Sequence, residues 1–480
     1  MIELIRFGTG GWRAIIAEDF TFSNVRKVAR GLASMSLRKS PEPTPIVVGY
    51  DMRFMSREFA EVFAAELASE GIKVWFLMDP SPTPQVMCAV DKEGLDFGVA
   101  VTASHNPPKY NGIKVIVSGG KDAPVEVTNE LEGVINALPS GASSEGSRTP
   151  SFAQLLASGA ITPYSNRNDY IDSLLAQVDV ESIRKHNLRV LFNPMYGTAK
   201  DIMNVCLASL RCSVDTINSA PNMVDTKRAP SPDKIALGDM EFLMHGGGYD
   251  LGIATDGDSD RLGLYDETGC YVDANQMLRL LYYYLKEYRG RRGGIVRNLT
   301  TTHVLDKIAA AYNEPAFEVP VGFKYISAAM DEHDLLLGGE SSGGLKIRGH
   351  VNGKDGILAA LLCVEMLTLT GKTLSQLDAE ICERFGRTLF HTVNIPLDEA
   401  TEQRLRSQLF DSRYVPAFPK HVARVSYMDG VKFYFDDDTW TCIRFSGTEP
   451  LLRIVSEMTN EQELHALLNG LGEDPVLQLR

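Results

Sequence analysis

Residues 97–112 read FGVAVTASHNPPKYNG. The apolar run Phe97–Val101 has the length and composition of a buried strand, and it stops where small and polar residues begin at Thr102. Pro107, Pro108 and Asn111-Gly112 favour turns, which places Ser104 near the tip of a loop leaving that strand. Upstream lie a strand at Pro45–Gly49, a helix around Ser56–Glu70 and a strand at Lys73–Met78. The same order recurs twice. Leu188–Phe192, Thr198–Leu210, Ser213–Ile217 and Leu251–Ala254 form the second unit; Gly294–Val296, His303–Ala311, Ala316–Val319 and Leu335–Leu337 form the third. Such alternation reads as α/β layers with helices on both faces of a sheet. Identity among the units is negligible, so the repeat is one of pattern.

Each unit's last strand runs into a polar loop: Thr102–Gly112, TDGDSDR at Thr255–Arg261, and GGESSGG at Gly338–Gly344. Equivalent sheet positions would bring the loops to one side, where open α/β sheets bind ligands. Leu138–Ser151, rich in Ser, Gly and Pro, reads as an exposed connection. Two helical stretches, Gly356–Thr370 and Leu374–Phe385, follow the third unit. Beyond about Phe390 a smaller α+β domain is expected, with strands at Val431–Phe435, Thr439–Phe445 and Leu452–Ser456 and a helix at Glu461–Leu471.

At 480 residues the chain exceeds one hydrophobic core. Its 62 acidic against 48 basic residues leave a net charge of −14, a field that repels nucleic acid. An anionic small molecule then needs a local cluster of cations or a bound metal. No apolar run approaches a membrane span and the start lacks the apolar core of a signal peptide. Seven cysteines without metal-like spacing suit a cytoplasmic protein with reduced thiols.

Five loops carry candidate chemistry. Ser104 precedes His105, but adjacent residues rarely face each other on one loop and no GxSxG elbow is present; spacing alone favours an Asx-rich turn. Asp256, Asp258 and Asp260 repel one another unless a cation neutralises them, and oxygen-only ligands point to Mg²⁺ or Ca²⁺. Glu267 stands at the twelfth position of a calcium loop, yet Arg261 occupies the sixth, where Gly is needed, and strands flank the loop; Mg²⁺ fits better. Glu340, Ser341 and Ser342 offer acceptors and donors suited to sugar hydroxyls, although Gly-rich turns are common. Arg444-Phe445-Ser446-Gly447-Thr448-Glu449-Pro450, with Arg453 beyond, reads equally as a phosphate site or a tight turn with surface arginines. Arg13, on Gly8-Thr9-Gly10-Gly11-Trp12, is another cation on a Gly-rich loop.

Taken together, FGTGGWR, TASHNPPKYNGIK, DGDSDR, GESSGG and RFSGTEPLLR resemble, in order and along the whole chain, the α-D-phosphohexomutase family of phosphoglucomutases and phosphomannomutases. The resemblance implies three similar α/β domains with mixed sheets flanked by helices, plus a smaller C-terminal α+β domain, around a central cleft. Placed on this chain, these are a phosphoserine domain (1–150), a metal-binding domain (151–270), a sugar-binding domain (271–388) and a phosphate-binding domain (389–480). It implies an enzyme, an isomerase moving a phosphoryl group between positions 1 and 6 of a hexose through a phosphorylated Ser104 and a bisphosphorylated sugar that also serves as activator. Ser104, Asp256, Asp258 and Asp260 would hold Mg²⁺. Arg13, His105, Lys114 and Arg261 would surround the reacting phosphoryl group, Lys354 of the HxxxKDG stretch is a candidate general acid/base, and Lys324 lies in a substrate-side loop. Glu340 and Ser342 would contact sugar hydroxyls; Arg444, Ser446, Gly447, Thr448 and Arg453 would hold the phosphate not being transferred.

Ala14, Ser341 and Pro230-Ser231-Pro232 depart from common family patterns without removing a catalytic group. Gly343-Gly344 looks like the phosphoglucomutase version, so glucose phosphate is the expected substrate, with mannose or glucosamine phosphate as the alternative. More remote alternatives are a phosphatase and an inactive sugar-phosphate sensor. The expected partner is a small sugar phosphate, with no nucleic acid and no membrane, on a monomer or homodimer.

Overall fold

The computed structural model describes residues 4–8, 11–138, 150–220, 228–446 and 450–479. The chain divides into two compact units, Met1–Asp273 with Ser342–Ser375, and Ala274–Ser341 with Gln376–Arg480.

The first unit contains two sheets of one plan. In the first, Phe97–Val101 and Val74–Leu77 flank Ile46–Tyr50 in parallel, and Tyr110–Val117 returns antiparallel beside Phe97–Val101, with Trp12–Ile15 at its edge. In the second, Leu251–Thr255 and Ser213–Thr216 flank Arg189–Asn193 in parallel, and Leu262–Tyr265 returns antiparallel beside Leu251–Thr255. The second unit repeats the three parallel strands with Leu337–Gly339, Ile295–Asn298 and Ala316–Val319. The pattern repeat read from the sequence is therefore a repeat of topology. In each sheet the polar loop leaves the C-terminal end of the corresponding strand.

Helix Ser56–Ser69 shows why these layers form. Phe59, Ala60, Phe63, Ala64 and Leu67 recur at helical spacing and pack with Val25, Val28 and Leu32 of helix Phe22–Lys39 in one core with the sheet. That second helix and Thr83–Lys92 are absent from the strand-based sequence reading. The third unit's loop-bearing strand also lies two residues later than expected, because Gly338 and Gly339 belong to it. A Cβ on Gly338 would sit 2.5 Å from Ile326 Cγ2, and one on Gly339 2.3 Å from Leu278 Cδ2, so close packing makes strand of what reads as flexible loop. The first sheet runs past residue 150. Ile161–Tyr164 pairs in parallel with Val74–Leu77, and Ser151 opens the preceding helix Phe152–Ser158 with a capping box. Most of the connection expected over Leu138–Ser151 lies outside the described residues.

Helix Gly356–Thr370 is apolar on all sides and buried over nearly its whole length, packed with the second sheet in the first unit. Its charged Glu365 is fully buried and accepts from Asp179 N at 2.5 Å. Among the described residues no single helix is long and apolar enough to cross a membrane.

The C-terminal domain is a five-stranded antiparallel sheet, ordered Leu389–Pro396, Leu451–Met458, Trp440–Phe445, Val431–Phe435 and Val422–Ser426. Within the second unit it is joined to the third α/β sheet by buried polar groups. Lys432, wholly buried, donates to Leu299 O (2.6 Å) and Glu318 Oε2 (2.7 Å), and its Nζ lies 3.0 Å from His303 Nε2. Its three N–H donors thus have three acceptors, and the Trp440 ring lies 4.0 Å away.

Candidate active site

The Asp256 carboxylate folds the loop that carries it. Its Oδ1 accepts from Asp260 N (2.9 Å) and Arg261 N (3.0 Å), while Ser259 takes a left-handed φ of 65°. This tight turn points three carboxylates inward, with Asp256, Asp258 and Asp260 each offering a ligand oxygen within 4.8 Å of the others. Neighbouring segments fix the loop from outside. Thr198 N and Thr83 N donate to the carbonyls of Gly257 (3.1 Å) and Asp258 (3.0 Å). Gly356 N donates to Ser259 O, and a Cβ at Gly356 would fall 2.4 Å from Arg261 O. The glycine of the KDG triplet therefore permits the approach that delivers Lys354.

Ser104 meets this loop directly. It is 1% exposed, adopts φ 50°, and its Oγ donates to Asp256 Oδ2 at 2.8 Å. His105 Nδ1 lies farther from the same hydroxyl, at 3.4 Å. Burial, reinforced by Arg261 and Arg13, pushes the His105 imidazolium far below its ordinary range and keeps the ring neutral.

Cations surround the carboxylates. Lys114 Nζ reaches Asp258 Oδ2 (2.6 Å) and Asp260 Oδ2 (2.8 Å), and Lys354 Nζ reaches Asp260 Oδ2 (3.0 Å). Burial alone would lower Lys114, but Asp258 and Asp260 outweigh it and hold the ammonium above its usual range. Burial likewise opposes ionisation of Asp260, yet Lys114, Lys354 and Arg261 keep it well below the carboxylate range. Asp256 has burial and two neighbouring carboxylates against it and is pushed up. Arg13 Nη1 donates to Asn106 Oδ1 at 2.6 Å, and Arg261 Nε lies 3.9 Å from Asp260 Oδ1.

The donor set fits a hard divalent cation. Asp258 Oδ1 and Asp260 Oδ1 are buried without a hydrogen-bond partner, an arrangement costly for carboxylates unless something else binds them. All ligands are oxygen, as Mg²⁺ requires.

The structure thus gathers Arg13, Ser104, His105, Lys114, Asp256, Asp258, Asp260, Arg261 and Lys354 in the first unit. Ser342, also in this unit, is exposed, while Gly343 and Gly344 are buried against the carboxylate loop, with Gly343 O accepting from Leu262 N. In the second unit Glu340 is nearly buried at the end of its strand, and Lys324 lies on helix Phe323–His333 with Nζ 5.1 Å from the Tyr325 ring centre. Arg444 and Arg453 stand directly opposite on adjacent antiparallel strands. Their Nε atoms donate to Asp429 Oδ1 (3.0 Å) and Asn394 Oδ1 (2.9 Å). Ser446 N donates to Leu451 O; Gly447 and Thr448 lie outside the described residues.

Sequence reasoning missed Arg53, Asp51 and Thr83. Thr83 Oγ1 donates to Asp258 Oδ2 at 2.6 Å across 175 residues of chain, a contact with no local signature. Asp51 and Arg53 stand after strand Ile46–Tyr50, at the end where the Ser104 strand also terminates, and that placement was the available signal.

Models of the phosphoglucomutase/phosphomannomutase family match in order: alpha/beta/alpha domain I over residues 4–141, domain II over 168–269, domain III over 273–385, and the C-terminal domain over 393–471. A phosphoglucomutase/phosphomannomutase of Thermococcus kodakarensis is 28% identical over 96% of both chains. A phosphoglucosamine/phosphogalactosamine mutase of Sulfurisphaera tokodaii is 27% identical over 97% of this chain and 98% of its own. The crystal structure of a protein named as a phosphomannomutase from Thermus thermophilus superposes with a TM-score of 0.84 at 28% identity, covering 98% of each chain. Sequence order, repeated topology and the carboxylate site all lead to one conclusion: this chain belongs to the phosphoglucomutase/phosphomannomutase family, the phosphohexomutase isomerases.

Proposed function

We propose that the protein interconverts hexose 1-phosphates and hexose 6-phosphates, with Ser104 phosphorylated at rest and a sugar 1,6-bisphosphate as intermediate and activator. The observation that carries this reading is the Ser104 hydroxyl held 2.8 Å from Asp256 beside two buried carboxylate oxygens that accept no hydrogen bond. In the forward step the P–O bond at Ser104 breaks and one to the sugar hydroxyl forms; the second step returns the sugar's other phosphoryl group to Ser104. Asp256, Asp258 and Asp260, with the phosphate on Ser104, would hold Mg²⁺, which when bound stabilises the charge on the transferring group. Arg13, Lys114 and Arg261 add fixed positive charge around that group, and His105 lines it as a neutral ring. Lys354 is assigned the general acid/base role: its neutral amine would take up the sugar hydroxyl's proton, and the resulting ammonium would return it in the reverse direction. Glu340 and Ser342 bind sugar hydroxyls, with Lys324 on the same substrate. Arg444 and Arg453, with Ser446, Gly447 and Thr448, hold the phosphate that is not transferred. Arg444 and Arg453 stand opposite on adjacent strands, so a single phosphate could meet both guanidiniums, which supports that assignment.

For the sugar, mannose and glucosamine phosphates have more support than the glucose phosphate expected from Gly343-Gly344. Relatives bear the names of phosphoglucomutase/phosphomannomutase and phosphoglucosamine mutase, a similar solved structure bears that of a phosphomannomutase, and both glycines are buried against the carboxylate loop, where they bridge Arg261 and Leu262. Coupled assays with glucose, mannose and glucosamine 1-phosphates, each primed with its bisphosphate, decide the preference. S104A should abolish turnover of all three, and intact mass should show about 80 Da lost with the hydroxyl that carries the phosphate. Unchanged turnover in S104A would end the phosphoserine reading.

A further inference from the structure

A second buried cation stands behind the Ser104 loop. Arg53 is 4% exposed, and its guanidinium donates to four carbonyls of that loop. Nη1 reaches Pro107 O and Tyr110 O, each at 3.0 Å; Nη2 reaches Ser104 O and Asn106 O, each at 2.6 Å. One side chain therefore spans the loop from Ser104 to Tyr110.

Its counter-ion extends the hold to the other side of Ser104. Asp51 Oδ2 lies 3.3 Å from Arg53 Nε and accepts from Thr102 Oγ1 at 2.6 Å. Thr102 Oγ1 in turn accepts from Ser104 N at 2.9 Å. Asp51 Oδ1 is anchored by Ser56 Oγ and Arg53 N. Both peptide groups of Ser104 are thus fixed, its N–H through Thr102 and its C=O through Arg53. Fixing them matters because φ 50° is a left-handed conformation that an L-serine leaves readily unless its surroundings impose it.

We propose that Arg53 is a positioning residue for phosphoryl transfer: through the Ser104 loop carbonyls, with Asp51 and Thr102 as its second arm, it presents the Ser104 oxygen toward Asp256. The inference rests on the reading of Ser104 as the phosphoryl carrier. Arginine is required for geometry more than charge. Its planar fork meets four carbonyls from fixed directions, whereas a lysine has three donors on one atom and cannot span them. The bonds all go to backbone, so the cradle does not depend on a phosphate being present. It keeps the loop formed in both the free and the phosphorylated enzyme, and each half-reaction starts from an aligned oxygen.

The test uses the full chain as R53K, T102V and S104A. R53K retains the charge and loses the fork; kcat should fall about 100-fold while KM stays within about threefold. Phosphorylation of the dephosphorylated protein by glucose 1,6-bisphosphate or its mannose counterpart, read by intact mass, should slow in parallel. T102V leaves Arg53 in place and cuts the arm to Ser104 N; kcat should fall about tenfold with KM unchanged. Wild-type kcat in R53K overturns the proposal. So does a loss of kcat that disappears once the unfolded fraction of R53K at the assay temperature, read from its thermal melt, is allowed for, because unfolding removes active enzyme and leaves KM unchanged. Should R53K fail to fold, T102V decides, and a wild-type kcat there overturns the proposal. Turnover surviving in S104A removes the phosphoserine reading itself and this inference with it; loss in S104A with normal R53K rejects Arg53 alone.

Discussion

At the scale of single residues, the site turns on oxygens left without hydrogen. Asp258 uses one oxygen for Lys114 and Thr83 and leaves the other bare in a buried setting, an arrangement suited to a cation. D258A should therefore leave sugar-phosphate binding measurable by calorimetry while turnover falls about 10³-fold, equivalent to about 4 kcal/mol of transition-state stabilisation. Unchanged turnover would refute the metal assignment. This residue was legible in sequence because three acidic residues alternating within five positions have few other physical uses. Ser104 was legible as a loop tip, but not its hydrogen bond to Asp256, formed across 152 residues of chain. Arg53 was hidden for a different reason: its partners are backbone carbonyls, and carbonyls leave no trace in side-chain identity.

At the scale of elements, paired strands and helix ends make the chemistry possible. Arg444 and Arg453 face each other across two strands, each tied by Nε to a neighbour. R444A should raise KM about tenfold or more, with kcat within about threefold, because a charge-assisted phosphate contact present throughout turnover is removed. A purely kcat effect would contradict the role. In the same unit, His303 sits between the third sheet and the C-terminal one. Its Nδ1 lies 3.1 Å from Asp438 O and its Nε2 3.0 Å from Lys432 Nζ, so a neutral ring with its proton on Nδ1 satisfies both contacts. Burial first, and then the Arg297 cation, push its pKa down to about 4. The unfolded chain takes up a proton as pH falls through the ordinary histidine range near 6.5, while the folded ring does not until about 4. The stability supplied by the neutral ring is thus complete above about 6.5 and lost between there and about 4. Between pH 7 and 5 wild type should lose about 2 kcal/mol more unfolding free energy than H303Q, measured in urea by tryptophan fluorescence. Equal losses would show that the ring does not titrate as argued. The sequence could not reveal this because His303, Glu318 and Lys432 are separated in the chain and no spacing links them. It also misread Gly338 and Gly339 as loop, since the Leu278 and Ile326 side chains that leave room only for glycine come from other elements.

Across the whole molecule, a chain of net charge −14 handles an anionic substrate only where cations are concentrated and paired to a purpose. At the carboxylate site Lys114 and Lys354 are paired with Asp258 and Asp260, so under the proposed function a bound Mg²⁺ would supply further positive charge to the transferring group. Treatment with a chelator should abolish turnover, and millimolar Mg²⁺ should restore it while Ca²⁺ does not, since the larger ion favours more ligands and longer distances. Recovery with no divalent ion added would contradict this. The repeated α/β plan was readable from chain order because each strand, helix and loop keeps its place in all three copies. Where copies share packing with neighbours, pattern failed: Ile161–Tyr164 completes the first sheet after the break in composition, and helix Gly356–Thr370 packs with the second sheet although its sequence follows the third.

The ammonium of Lys432 has a last consequence, for anyone who would take the molecule apart. Family matches end at 385 and resume at 393, and the gap invites a cut. Yet two of the acceptors for that ammonium, Leu299 O and Glu318 Oε2, lie on the far side of it, and Thr302 Oγ1 and His303 N both donate from that side to Glu457. Expressed alone from about residue 389, the C-terminal sheet would present a bare lysine and the Trp440 face to water, and should be recovered as aggregate.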